Sequence, residues 1–264
     1  MFIAAGTLLV SLTLQNPGSA AEANGKTPPP PATAPAPVAP TDDRPFVRLV
    51  PNLIQDVKKL PSSQTLLLLL AGTAGSAIAG AQDRPAMLWA ARAGNQTDMS
   101  RVGEKAGEGW VQASVALGTY AFGRFSHKPS VTHLGSDLVR AQILNGLVTT
   151  GLKYAVHRTR PNGGSFSFPS GHTSASFTTA AVLQGHYGWK AGAPAFALAT
   201  FVGWSRVRDH AHWSSDVITG ATIGTIVGLT VTKGHLPKKW AIAPAPAPGG
   251  FAIYVARIPV AGQK

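Results

Sequence analysis

Long apolar runs separated by short polar clusters fill the sequence between residues 49 and 233. The apolar run 66–81 is preceded by a Pro-Ser-Ser start signal at 61–63 and followed by a breaker at 82–85. This pattern predicts a first buried helix. The mixed, charged stretch 87–109 predicts a short helix plus a loop, more consistent with a connector than with a lid over a site.

Five more apolar runs predict helices at 111–125, 136–157, 171–186, 191–204 and 217–233. The sequence therefore predicts an all-α bundle of about six helices. Several runs are shorter than the roughly 20 residues of a membrane span. Arg140, Gln142 and Asn145 also interrupt the run 136–157, which argues against a lipid-facing helix. These observations favour a soluble or peripherally attached bundle, and six membrane spans remain the alternative.

Both ends of the chain differ from the bundle. An uncharged apolar run followed by small residues predicts a signal peptide at 1–21, and hence export to the periplasm or cell envelope. Residues 22–48 are rich in Pro and Ala, which is typical of an extended linker. Residues 234–264 form a C-terminal extension, whose two short runs around a Pro-Gly turn predict a small β-hairpin.

Composition narrows the classes of function. A formal net charge of +12 favours anionic partners such as phosphate esters or anionic lipid. No basic run is interleaved with aromatic residues, so we expect no nucleic-acid partner. The absence of cysteine excludes disulfides, a cysteine nucleophile and thiolate zinc sites.

The first polar cluster places Lys153 seven residues before Arg160, which precedes Pro161. Seven residues are two helical turns, but the residue before a proline avoids helical geometry. We therefore expect Arg160 at the junction of a helix end with a loop. Taken alone, these two residues also fit a solvated helix end.

The second cluster is the box 169–172, in which Ser170 is a natural N-cap for the following apolar helix. The unpaired N–H groups of a helix N-terminus bind oxyanions, and Gly171 permits a close approach of the backbone. His172 follows at once. Without its neighbours, this box is an ordinary cap beside a surface histidine.

The third cluster contains Arg206, His210, His212 and Asp216. His212 and Asp216 are one helical turn apart, so the carboxylate can accept a hydrogen bond from one ring nitrogen and leave the other free to attack. His210 and His212 could also form a metal pair, but no third ligand is close in sequence. We therefore expect a metal-independent site.

Together the three clusters resemble the type 2 phosphatidic acid phosphatase and vanadium haloperoxidase superfamily, which includes the bacterial class A acid phosphatases. The resemblance runs over residues 153–216 and consists of two spacings and one box. These are Lys153-x6-Arg160-Pro161, Pro169-Ser170-Gly171-His172 and Ser205-Arg206-x5-His212-x3-Asp216.

The resemblance implies a phosphate-binding group made of Lys153, Arg160 and Arg206, assisted by Ser170 and the backbone of Gly171. Guanidinium groups suit this role because their planar fork pairs with phosphate oxygens.

The resemblance also implies three catalytic roles. His212 would be the nucleophile, Asp216 its orienting partner, and His172 the acid that protonates the leaving group.

The sequence therefore predicts an exported acid phosphatase or phosphatidate phosphatase that hydrolyses phosphate monoesters, soluble or lipid, through a phosphohistidine and without a cofactor. Two alternatives stay open. A vanadium-dependent haloperoxidase would hold vanadate with the same residues, and a lipid phosphate or pyrophosphate phosphatase would be embedded in the inner membrane.

Overall fold

The computed structural model describes residues 46–92, 97–233, 241–247 and 250–256. The predicted signal peptide and linker residues 22–45 lie outside the described residues, so export and the linker stay predictions.

Nine α-helices and one pair of strands make up the described part of the chain. A 3-10 turn, Phe46–Arg48, leads into the first of them. In chain order the helices are α1 (Leu49–Lys59), α2 (Ser63–Ala81), α3 (Asp83–Arg92), α4 (Asp98–Gly107), α5 (Gly109–Phe125), α6 (Pro129–Val156), α7 (Gly171–Tyr187), α8 (Trp189–Arg208) and α9 (Ser214–Val231).

The helical fold class is confirmed, but the prediction of about six helices is wrong. The six predicted apolar helices are all present, α1 is additional, and the stretch 87–109, predicted as one short helix plus a loop, contributes to two helices, α3 and α4. α1, α3 and α4 are short helices of 10 or 11 residues with mixed sequences, so they lack the long apolar runs on which the count rested.

Two helices are longer than predicted. α6 begins at Pro129, which suits the first turn of a helix because its missing N–H would be unpaired there anyway. Ser136 and Asp137, predicted as its cap, are therefore buried inside it. α8 extends to Arg208, four residues past the predicted end at 204, so Arg206 lies in its last turn. With 20 residues, α8 is long enough to cross a bilayer.

The position of α2 contradicts the prediction of a buried helix, because none of its residues is buried. Leu67 is 67% exposed and Leu66, Leu70 and Ile78 are exposed as well. Only its small polar face is packed: the Ser76 hydroxyl lies 3.2 Å from the carbonyl of Ser215 in α9. Among the described residues, α2 and α9 have the length and composition of membrane-crossing helices, and over half of α9 is buried.

The polar residues of α6 point inward. Arg140 is buried and forms ion pairs with Asp56 of α1 and Asp137 of α6. Asn145 is buried too, and its amide oxygen accepts a hydrogen bond from Ser174 of α7. These residues therefore do not exclude lipid around the helix, because polar groups of membrane helices also face the bundle interior.

Helices α7 and α9 pack closely against each other. Three glycines of α9, each four residues apart, face backbone carbonyls of α7. A Cβ atom on Gly220, Gly224 or Gly228 would lie closer than 3.0 Å to such a carbonyl oxygen. The two helices thus approach until their backbones nearly touch, which brings the N-terminal ends of both to one place.

The apolar core is built on α6, α7 and α9, with Leu138, Val182 and Val227 among its most buried side chains. After residue 233, strands β1 (Ala241–Ala247) and β2 (Gly250–Ala256) pair antiparallel, with Ala241 opposite Ala256. The predicted hairpin stays a prediction, because its turn at 248–249 lies outside the described residues.

Candidate active site

The loop after α6 places the first polar cluster. His157 ends the helix in the left-handed conformation, with φ of 53°, so Arg160 lies beyond the helix end as predicted. The Arg160 backbone N–H donates to the Gly164 carbonyl at 2.7 Å, and its Nε donates to the Ser165 carbonyl at 3.0 Å. This compact turn fixes the base of the Arg160 side chain.

Lys153, in the last turn of α6, ties this loop to the helix. Its Nζ donates to the carbonyls of Phe166 and Pro169 at 2.7 and 2.8 Å. Burial lowers the pKa of Lys153 to about 8, and the charge of Arg160 acts in the same direction. A bound anion nearby would favour the charged form of this lysine.

Ser170 is the N-cap of α7, as predicted. Its hydroxyl lies 3.5 Å from the Thr173 backbone N–H and is fully buried. Gly171 and His172 form the first turn of the helix, whose N-terminal N–H groups suit an oxyanion.

His212 is held in a way that the spacing did not predict. The imidazole is 2% exposed, and its Nδ1 lies 2.6 Å from the backbone carbonyl of Ser167. A carbonyl only accepts, so Nδ1 carries the proton and Nε2 keeps its lone pair. The Asp216 carboxylate is 3.7 Å from Nδ1, too far for the direct hydrogen bond that we expected.

The Asp216 carboxylate is instead engaged by other donors. Its Oδ2 accepts from the Ser167 hydroxyl and, at 2.9 Å, from the Trp213 backbone N–H. Ser167 thus binds both members of the pair, with its carbonyl on His212 and its hydroxyl on Asp216. Asp216 can therefore orient His212 only indirectly, through the attraction of its charge and through Ser167, which binds both residues.

Burial lowers the pKa of His212, and the charges of Lys153 and Arg160 act in the same direction. A neutral imidazole with a free Nε2 can attack phosphorus at neutral pH.

Arg206 is held by oxygen acceptors on all sides. Its Nε donates to the Ser205 hydroxyl at 3.2 Å, and its Nη2 pairs with Asp209 at 2.8 Å. Its Nη1 lies 3.3 Å from the Glu104 carboxylate, which belongs to α4.

The reactive side chains line one cavity of about 510 Å³, which we call the cationic cavity because arginines are among its lining residues. Of the predicted residues, Arg160, His172, Arg206 and His212 line it, together with Glu104. A second, mainly apolar cavity has a volume of about 550 Å³, and His172 lines both cavities.

The remaining predicted residues lie around these cavities. Lys153 and Gly171 line the apolar cavity, whereas Ser170 and Asp216 are fully buried. Phosphate contact by Ser170 therefore stays a prediction.

α4 covers this site, so the expectation of a plain connector in the stretch 87–109 is wrong. Gly103 and Gly107 let α4 approach closely: a Cβ at Gly107 would lie 2.9 Å from the Cβ of His172. This approach places Glu104 against Arg206. The sequence offered no signal for these contacts, since glycines and a lone glutamate in a mixed segment are common in connectors.

Four contributors were not predicted: Glu104 and Ser167, and also Arg158, which donates to Asp216, and Asp83, which accepts from Ser215. Only Arg158 had a signal, since it lies inside the first polar cluster. Within the described residues, no group of three or more histidine or acidic side chains could hold a metal ion. Metal independence stays a prediction.

The comparisons of the sequence with known proteins point to one superfamily. Residues 135–240 match the sequence model of the PAP2 superfamily. The chain is 37% identical over 99 residues to a lipid A 1-phosphatase of Porphyromonas gingivalis, covering 36% of this chain and 22% of that protein. It is 27% identical over 161 residues to a lipid A 4'-phosphatase of the same organism, covering 52% of this chain and 66% of that protein.

Two solved structures are similar in part. LpxE of Aquifex aeolicus is 26% identical, with 51% of this chain and 83% of that chain covered and a TM-score of 0.41. A transmembrane PAP2 type phosphatidylglycerolphosphate phosphatase from Bacillus subtilis is 21% identical, with 70% and 92% covered and a TM-score of 0.37.

The segment that matches the family contains all three polar clusters, from Lys153 to Asp216, and it excludes α2, α3 and α4. The predicted resemblance to the PAP2 superfamily is therefore confirmed over residues 135–240, the segment that matches its sequence model.

Proposed function

We propose that this chain is a membrane-associated phosphatase that removes phosphate from lipid phosphate monoesters through a phosphohistidine at His212. One observation carries the proposal: His172 lines both the cationic cavity and the apolar cavity. A phosphate held by Arg160 and Arg206 would leave its ester oxygen near His172 and its apolar part beside α5 and α6.

The apolar cavity suits a hydrocarbon chain. Leu117 of α5 and Val139 and Ile143 of α6 line it, and Lys153 and His172 are among the residues that line it on the polar side. Its volume of about 550 Å³ is in the usual range of small-molecule sites. Such a site would bind a substrate in which a phosphate group is attached to a hydrocarbon moiety.

The exposed surface supports a location at a membrane. Large apolar side chains are exposed along α2, and also on α5 (Phe122 and Phe125) and α8 (Leu198). A row of large exposed apolar side chains, as along α2, is typical of a surface that contacts a partner or a membrane, because its exposure to water is unfavourable. With α2 long and apolar enough to cross a membrane, the membrane-embedded alternative is better supported than a soluble enzyme.

The names of the relatives suggest the first lipid to test. Two similar proteins are named lipid A phosphatases, although the chain spans only 22% of the length of one of them and 66% of the other. We therefore propose a phosphorylated lipid of this class as substrate, with phosphatidate as the comparison.

The proposed reaction has two steps. In the first, Nε2 of His212 forms a bond to phosphorus while the bond from phosphorus to the ester oxygen breaks. Arg160, Arg206 and Lys153 neutralise the charge on the other phosphate oxygens. His172 gives its proton to the departing oxygen, which leaves as an alcohol.

In the second step water attacks the phosphohistidine. The neutral His172 takes the proton of the water, the bond from phosphorus to Nε2 breaks, and inorganic phosphate leaves. The proton on Nδ1 of His212 stays in its hydrogen bond to the Ser167 carbonyl throughout. Both histidines thus return to their starting states.

The test compares two histidines of the same cavity. His210 and His212 both line it, two residues apart, but only His212 has the hydrogen bond to Ser167 that leaves Nε2 free. Purified enzyme in detergent is mixed with a labelled lipid phosphate and quenched rapidly. We expect an acid-labile phosphoprotein in the wild type and in His210→Ala, and none in His212→Ala, whose rate should be near background.

The proposal is wrong if wild-type enzyme releases no phosphate from any lipid phosphate or from para-nitrophenyl phosphate. A phosphoprotein that persists in His212→Ala would instead move the nucleophile to another residue.

A further inference from the structure

We infer that Arg158 and Asp83 are positioning residues that hold the His212–Asp216 pair in its reactive geometry. The inference rests on the proposed function. It assigns a role to two residues that lie behind the site, one of them outside the segment that matches the family.

Arg158 bridges three acceptors at once. Its Nη1 donates at 2.7 Å to the Ser215 hydroxyl and at 2.7 Å to Oδ1 of Asp216, and its Nη2 donates at 2.8 Å to Asp83. The guanidinium also lies 5.3 Å from the ring centroid of Trp213. A planar, permanently charged group with donors in a fixed fork is suited to this task, and lysine is not.

Asp83 fixes the other side of the network. It is the first residue of α3, and its Oδ1 accepts from the Ser215 backbone N–H at 3.0 Å. Its Oδ2 accepts from the Ser215 hydroxyl at 2.6 Å and from Arg158. Ser215 lies in the first turn of α9, where backbone N–H groups have no partner within the helix. Asp83 therefore caps α9 one residue before Asp216.

The two oxygens of Asp216 are thereby assigned to different donors. Oδ1 accepts from Arg158, while Oδ2 accepts from Ser167 and Trp213 and faces His212. Rotation of the carboxylate would break bonds on both sides. Arg158 thus determines which oxygen faces the imidazole, and its positive charge offsets the mutual repulsion of Asp83 and Asp216.

Arg158 does not act on the phosphate itself. It lines a separate cavity of about 470 Å³ between α2 and α9, whereas Arg160, two residues later, lines the cationic cavity. The two arginines of one sequence cluster therefore lie on opposite sides of the catalytic pair. This separation predicts different kinetic effects: loss of Arg158 lowers kcat, and loss of Arg160 raises KM as well.

The experiment compares Arg158→Met, Arg158→Lys and Asp83→Asn with Arg101→Met. Arg101 is a suitable control because its ion pair with Asp98 is exposed on the surface of α4. Steady-state kcat and KM for para-nitrophenyl phosphate are measured, and kcat is divided by the fraction of enzyme that forms the phosphoprotein. That division removes any loss caused by misfolding.

A hydrogen bond to a charged group corresponds to about 10- to 100-fold in rate. We expect kcat per active site to fall by about that factor in Arg158→Met, with KM and inhibition by inorganic phosphate within about threefold of wild type. Asp83→Asn should fall in the same direction, Arg158→Lys should recover part of the loss, and Arg101→Met should match wild type.

Two results would overturn the inference while wild-type activity keeps the proposed function intact. One is an unchanged kcat per active site in Arg158→Met. The other is a rise in KM and in the phosphate inhibition constant like that of Arg160→Met, which would make Arg158 a phosphate ligand. An inactive wild type would count against the proposed function instead.

Discussion

The contact between Glu104 and Arg206 predicts that a carboxylate weakens phosphate binding at this site. Glu104 lies 3.3 Å from Nη1 of Arg206, where a phosphate oxygen would bind, and its side chain is 34% exposed. The second partner of Arg206, Asp209, is only 6% exposed and three residues away on the same segment. Glu104 is therefore the partner that an incoming phosphate displaces.

The magnitude follows from the charges. Two unit charges 4 Å apart repel by about 1 kcal/mol in water and by about 4 kcal/mol near a protein surface. Because Glu104 is partly exposed, solvent screening favours the lower end, about 1 to 2 kcal/mol. Glu104→Gln should thus tighten binding of inorganic phosphate or orthovanadate by about 5- to 30-fold.

Inhibition of para-nitrophenyl phosphate hydrolysis by each oxyanion measures this effect. Asp98→Asn is the matched control, since it removes the same charge from the same helix at a side chain that is 98% exposed. The charge of Glu104 also favours protonated His172, so we expect tighter binding without a higher kcat. An inhibition constant that is unchanged or higher in Glu104→Gln would refute the argument.

Four further predictions follow from the described contacts. Burial and then the charge of Arg206 lower the pKa of His172 to about 4, and a bound phosphate dianion should raise that pKa. The decrease of kcat at high pH, which reports the substrate complex, should therefore occur at a higher pH than the decrease of kcat/KM, which reports the free enzyme. Identical pH dependences of the two parameters would contradict this prediction. Gly224→Ala should destabilise the protein by about 1–3 kcal/mol in thermal unfolding because its Cβ meets a carbonyl of α7, whereas Gly118→Ala, with open space around it, should be neutral or stabilising. Leu67→Lys places a charge on the exposed face of α2 and should increase the share of protein released by carbonate washing, and an unchanged share would place α2 outside the lipid. Activity should survive exhaustive treatment with EDTA, and loss that is restored by zinc or magnesium would contradict the metal-independent mechanism.

The sequence predicted the residues of the site better than the contacts among them. Arg160, His172, Arg206 and His212 were identified from the resemblance of the three clusters to the superfamily, and they line one cavity. The bond between His212 and the Ser167 carbonyl was not predictable, because it joins residues 45 apart through a loop. The four-residue spacing to Asp216 suggested a helical turn, but α9 begins only at Ser214, so the two side chains are not on one helix.

Burial was the least predictable property. The run 66–81 predicted the helix α2 correctly, yet apolar residues are required both for a helix in a protein core and for one in lipid. Conversely, Arg140 and Asn145 were taken as evidence against a lipid-facing helix, and both face the interior instead. The sequence shows which residues are apolar, but it does not show whether they contact the protein core or lipid.

The close approach of α7 and α9 separates the chemistry of this protein from its choice of substrate. The spacing between the two helices is set by backbone against backbone at Gly220, Gly224 and Gly228, and not by the size of side chains. The apolar cavity is lined mainly by α5 and α6, which take no part in that contact. Substitutions in α5 or α6 can therefore change which apolar body fits without moving the histidines, whereas substitutions along the glycine row disturb catalysis for every substrate. Evolution toward a different apolar substrate could therefore proceed by substitutions in α5 and α6, but not by substitutions of the three glycines in α9.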